Sequence, residues 1–180
     1  MGLKVAIVGL ASSTHDKAPW LDSEWEKWGL PWDDQCWALM TRHFEMHDQR
    51  LLDSVHSKRV SDYALRLKEC DRLYTQENYP FEAVAQSIGQ AYWNSSIAYA
   101  MALAIHEGAT DIAIYGVDMD GTDEYGYQKA NMEYLIGVAR GQGVDVYIPP
   151  ESALCKFAPT GIKFYDHMPT YVDRYGWLGD

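Results

Sequence analysis

Asp118 and Asp120 follow directly on the run Ile112-Ala113-Ile114-Tyr115-Gly116-Val117. An apolar strand that stops at a glycine and passes to carboxylates sets them at a strand's carboxyl end, where open α/β sheets bind ligands. Two chemistries follow from that position. Asp118 alone would orient a ligand by accepting hydrogen bonds. Asp118 and Asp120 together, with Asp123 and Glu124 adding negative charge, would hold a hard divalent cation such as Mg2+ or Mn2+, which prefers oxygen donors. The first role is the stronger for Asp118, and no metal ligand is assigned.

A second segment of the same kind, Lys4-Val5-Ala6-Ile7-Val8-Gly9-Leu10, opens into Ala11-Ser12-Ser13-Thr14. Its glycines match neither a dinucleotide fingerprint nor a P-loop. Gly9 lets backbone approach a ligand, while Ser12 and Ser13 supply hydroxyls and N–H groups suited to a phosphate. His15 in the same loop is placed for proton transfer. Tyr125 and Tyr127 follow the acidic loop and offer phenolic donors to a ligand oxygen. His43 and His47 would share a metal on a helix, but on a strand they lie about 13 Å apart. The strand reading is favoured, which leaves them without one. The chain has seven tryptophans, crowded between Trp20 and Trp37; such rings stack on bases or, more commonly, fill space between helix and sheet. There is no nucleophile elbow of the Gly-x-Ser-x-Gly kind.

The elements that must position these residues are read from periodicity. Lys4–Leu10 is continuously apolar, as in a strand buried on both faces. Trp20, Leu21, Trp25 and Trp28 recur at helical spacing after Pro19, which predicts a helix closed by Gly29-Leu30-Pro31. A second strand falls within Cys36–Met46, an amphipathic helix over Asp48–Glu69 and a short strand at Leu73–Thr75. Phe81–Ile88 reads as a weak helix or loop. Asn94–Glu107 is the clearest helix, with Ser95 or Ser96 as N-cap, an apolar body and Gly108 at its end. Strand Asp111–Gly116, helix Glu124–Gln142 and strand Val144–Ile148 complete an alternation that predicts an α/β, three-layer, doubly wound sandwich of about five mainly parallel strands. Residues 1–180 read as one domain with an aromatic tail from about 157.

Composition narrows the partners. A net charge of −11 disfavours duplex nucleic acid but leaves a single nucleotide open, since helix N-termini hold phosphate without basic side chains. There is no apolar run long enough to span a membrane and no signal-peptide pattern. The cysteines Cys36, Cys70 and Cys155 show neither metal-type nor disulfide spacing. A cytoplasmic location is expected.

Three segments in this order, Val5–Gly9 with its hydroxyl loop, Ser95–Ile105 leading through Gly108 to Gly116-Val117-Asp118, and Pro149–Leu154, resemble the bacterial sialyltransferases that use CMP-sialic acid. They also resemble Rossmann-like nucleotide-binding domains once grouped beside pterin pyrophosphokinases, and small phage-encoded proteins. Asp118-Met119-Asp120 is similar to the acid-x-acid signature of metal-dependent sugar transferases. The sialyltransferase resemblance implies nucleotide contacts at Gly9, Ser12, Ser13, Asn94, Ser95, Ser96 and Gly116, with Glu151 and Ser152 near base and ribose. It implies catalytic roles for Asp118 and Tyr125, with Tyr127 beside the phosphate; His15 is added from the residues themselves. In that family a catalytic histidine lies between the aspartate loop and the last strand; here the interval from Asp118 to Val144 contains none. The expectation is a protein that binds a nucleotide or nucleotide sugar and acts as a glycosyltransferase-like enzyme. Two alternatives stay open: a non-catalytic binder of a nucleotide-derived metabolite, its tryptophan-rich edge and tail forming a homo-oligomer surface, and a metal-dependent phosphoryl or pyrophosphoryl transferase.

Overall fold

The computed structural model describes residues 2–33, 36–48, 66–70, 72–120 and 124–155, with Glu124 described for its backbone only. The strands are β1 (Leu3–Val8), β2 (Glu26–Gly29), β3 (Arg42–Phe44), β4 (Leu73–Tyr74), β5 (Ala109–Tyr115) and β6 (Asp145–Tyr147). They form one six-stranded sheet in the order β4-β3-β2-β1-β5-β6, and every neighbouring pair is parallel. The helices are α1 (Phe81–Ile88), α2 (Ser96–His106) and α3 (Glu124–Gly141). The fold is therefore α/β and Rossmann-like, with six strands where about five were expected. Among the described residues no helix is long and apolar enough to cross a membrane.

The expected helix after Pro19 is absent. A 3-10 turn, His15–Lys17, is followed by turns and then by β2 at Glu26–Gly29. Trp28 is fully buried and its ring meets Phe44 of β3 at 5.8 Å. The Arg42 guanidinium covers the same indole at 4.2 Å and bonds Glu26 and Glu107. A strand four residues long shows too little alternation to outweigh helically spaced tryptophans. The strand expected within Cys36–Met46 is thus the third, at Arg42–Phe44. Phe81–Ile88 is a regular helix. Most of the expected helix Asp48–Glu69 lies outside the described residues, its part at 66–69 being helical, and so does the tail from 156.

Helix α2 is the centre of the core. Ile97, Ala98 and the run Ala100–Ile105 are buried, and α2 packs on β1, β2, β3 and β5 as well as on α1 and α3. Its alanines let the helix approach the sheet closely, while Met101 and Leu103 fill the space beside Ile7, Ile112 and Ile114. Ala6 and Val8 face the other side, where Ala18 and Met40 cover them with Trp20 and Trp25. Each fully buried aliphatic side chain contributes about 1.5–3 kcal/mol relative to exposure, which makes the β1–β5–α2 contact the principal source of stability.

Tyr79 lies under α2. Its hydroxyl donates to the Tyr99 carbonyl at 2.9 Å, and burial holds the phenol far above its ordinary range. The raised folded-state pKa sets the sign: the contribution is complete below the unfolded value near pH 10 and is lost as pH rises beyond it. Melting temperature should therefore fall steeply above about pH 10. Tyr79→Phe should cost about 1 kcal/mol at neutral pH and flatten that alkaline fall, as read by thermal melts across pH.

Candidate functional site

The sheet changes direction between β1 and β5: β2, β3 and β4 extend to one side of β1, and β5 and β6 to the other. A crevice opens at the carboxyl ends of strands where such an order reverses. A cleft of ≈ 590 Å³ lies here, its walls including Gly9, Trp32, His47, Ser96 and Asp118.

Its floor is two glycines that cross. The Gly9 N–H donates to the Tyr115 carbonyl at 2.9 Å, and the Ala11 N–H donates to the Gly116 carbonyl at 2.8 Å. The Gly116 N–H donates to the hydroxyl of buried Thr14 at 2.7 Å. Gly116 has φ +61°, and a Cβ there would press into the Gly9 carbonyl; a Cβ on Gly9 would press into the Gly116 carbonyl. Neither position accepts a side chain. Beyond Gly116, the buried Ser152 hydroxyl donates to the Val117 carbonyl at 2.8 Å and accepts from the Leu154 N–H. The segment carrying Asp118 is held from both ends. Asp118 lines the cleft, and its Oδ1 is buried and meets no donor among the described residues.

One wall is the start of α2. Ser95 is the N-cap, its hydroxyl accepting from the Ala98 N–H at 3.2 Å. The Ser96 hydroxyl accepts from the Met46 N–H at 3.2 Å and so ties the end of β3 to the helix start. Asn94, Ser95, Ser96 and Ile97 all line the cleft. The first-turn N–H groups and the positive end of the helix dipole favour an anion here.

The opposite wall carries a carboxylate–imidazole pair. Glu45, 2% exposed at its side chain, accepts from the Trp32 indole N–H at 2.7 Å, from the His47 backbone N–H at 3.1 Å and from His47 Nδ1 at 2.5 Å. These bonds fix the ring and assign its proton to Nδ1. The His47 side chain is 48% exposed and lines the cleft. A buried carboxylate orienting a solvent-accessible imidazole is the usual construction of a general acid–base.

The residues singled out from the sequence divide into two sets. Gly9, Asn94, Ser95, Ser96, Gly116, Asp118, Asp120 and Tyr125 line the cleft. Ser12, Ser13, His15, Tyr127, Glu151 and Ser152 do not. His15 bonds Asp33 at 2.6 Å. Exposed Glu151 pairs with Lys17 at 2.6 Å. Ser152 supports the Val117 backbone, and Tyr127 is 74% exposed on α3. Asp123 lies outside the described residues. His43 and His47 turn to different partners, the Trp37 carbonyl and Glu45. Glu45, His47, Trp32 and Gln128 were not among the expected residues. The signal for His47 was local: Glu45-Met46-His47 follows the end of a strand, Arg42–Phe44, as Asp118 does.

Among the described residues that line the cleft none is Lys or Arg, and the carboxylates are Asp118 and Asp120. Comparison of the chain with protein-family models, with curated proteins and with solved structures gives no match.

Proposed function

We propose that the cleft binds a nucleotide or nucleotide sugar and that the protein is a glycosyltransferase-like enzyme. The observation that carries this reading is the convergence of three groups on one cleft at the strand-order reversal: the crossed glycines, the start of α2 and the Glu45–His47 pair. The helix start receives one phosphate. Asp118 accepts hydrogen bonds from hydroxyls or an exocyclic amine of the nucleoside. A cleft whose described lining offers two carboxylates and no Lys or Arg suits a single phosphodiester better than a diphosphate, whose second charge would need a cation. The sialyltransferase-like resemblance supports the same choice, because a CMP-sugar carries one phosphate.

His47 takes the role for which the interval after Asp118 offers no histidine. In the transfer step the acceptor hydroxyl oxygen bonds to the anomeric carbon as the bond from that carbon to the phosphate oxygen breaks. The hydroxyl proton goes to His47 Nε2, and the nucleoside monophosphate leaves. Glu45 keeps the imidazole in the accepting tautomer and stabilises the imidazolium.

A melting-shift panel with CMP, CDP, UDP, GDP and their sugars tests binding. The largest stabilisation should come from a nucleoside monophosphate or its sugar. Asp118→Ala should weaken that ligand about 10–100-fold, the loss of a hydrogen bond to a charged group. A panel in which nothing shifts the melt removes the proposal.

A further inference from the structure

Outside the cleft, three side chains of different donor type come together on the loops that follow β1 and β2. They are His15 of the 3-10 turn, Asp33, and Cys36, which caps the 3-10 turn Trp37–Leu39. One ligating atom from each, imidazole nitrogen, carboxylate oxygen and thiol sulfur, lies within 4.8 Å of the other two. Three such points lie within about 2.8 Å of a common centre, and Zn2+ bonds to these donors run about 2.0–2.3 Å. Each atom therefore has to move by less than about 1 Å to ligate one ion.

The surroundings already fix the donors. Asp33 and His15 are buried to 4% and 13% side-chain exposure, and His15 Nε2 donates to Asp33 Oδ2 at 2.6 Å. Asp33 Oδ1 accepts the Cys36 N–H at 3.0 Å, which turns Oδ2 toward the histidine. The Trp20 indole lies over the imidazole at 5.1 Å and donates to the His15 carbonyl.

The geometry points to a binding site for one Zn2+-class transition ion held by His15, Asp33 and Cys36. Mixed nitrogen, oxygen and sulfur donors select such an ion over Mg2+ or Ca2+. Binding replaces the His15–Asp33 hydrogen bond and the Cys36 S–H bond with metal–ligand bonds, moves the His15 ring proton from Nε2 to Nδ1 and releases the thiol proton to water. A water fills the fourth position. The ion would pin the β1 and β2 loops to each other; none of its three ligands lines the nucleotide cleft, so this site stands independently of the function proposed above.

The test is titration of the full chain with Co2+, followed by displacement with Zn2+. The expected result is one equivalent bound, with a thiolate-to-cobalt charge-transfer band in the near ultraviolet and visible bands of tetrahedral intensity. Replacing an outer partner of a metal ligand costs about 10–100-fold in affinity, so Cys36→Ser and His15→Gln should each cost at least that, and Cys36→Ser should abolish the charge-transfer band. The paired variant Cys70→Ser/Cys155→Ser leaves Cys36 as the one cysteine and must keep the band, which decides the matter even where Cys36→Ser does not fold. No charge-transfer band in the full chain, a band that survives Cys36→Ser, or a band lost in the paired variant would overturn the site.

Discussion

His47→Gln is expected to slow glycosyl transfer about 10²–10⁴-fold, the range for removing a positioned general base. Glutamine keeps a polar group in the same wall, so the melting shift given by the nucleotide should change little. The loss should fall on kcat with KM nearly unchanged. Glu45→Gln separates orientation from chemistry. Its amide cannot accept from Trp32 Nε1 and from both N–H groups of His47, as the carboxylate does. A fall in kcat with intact nucleotide binding is expected, together with a changed pH–rate profile; a purely structural glutamate would leave the profile in place. The assay is release of nucleoside monophosphate from the sugar nucleotide that shifts the melt most. His47→Gln at wild-type rate would rule out the assigned role.

Gly116→Ala should produce the largest loss of stability of any single methyl added to the described residues. The residue sits at φ +61°, and its new Cβ would meet the Gly9 carbonyl. Left-handed backbone in a non-glycine residue costs about 1–2 kcal/mol and overpacking typically about 1–3 kcal/mol more. The sum lowers the melting temperature by about 4–20 °C for a domain of this size. Gly9→Ala meets the mirror contact without the left-handed strain and should lose the overpacking part alone, whereas Gly137→Ala, with nothing within 4 Å of its would-be Cβ, should lose neither. Equal melts for the Gly116 and Gly137 variants would contradict the crossing.

The long-period signals in this sequence carry directly into the structure. β1 and β5 read as doubly buried strands because both faces are apolar, and α2 as a buried helix because it is apolar nearly all round. One short element did not carry over, while the expected short strands at Leu73–Thr75 and Val144–Ile148 are present as β4 and β6. β2 places Trp28 in the sheet, yet four residues cannot show an alternation that outweighs tryptophans at helical spacing. The same limit applies to the cleft. Gly9, Gly116 and Asp118 are legible because each ends a long apolar run. His47 follows a strand of three residues, and Trp32, which shares Glu45 with it, comes from another loop, so their meeting is a tertiary fact. Hydroxyls misled in the other direction: Ser152 looks like a ligand group, but its Oγ holds the Val117 carbonyl that backbone bonding leaves over.

The pairing of β1 with β5 has a consequence for how the chain is made. Lys4 lies opposite Asp111 and Val8 opposite Tyr115, so β1, once it has left the ribosome, waits for a partner encoded roughly a hundred residues later. At about 5–20 residues per second, that wait lasts on the order of 5–20 s. During it, one edge of the fully buried segment Val5–Val8 stands open, an apolar strand with unsatisfied ladder groups that invites pairing with another nascent chain. Loop closure over that span also makes the central pair slow to form. Soluble yield should therefore depend on translation speed and chaperone supply more than the finished domain's stability would suggest.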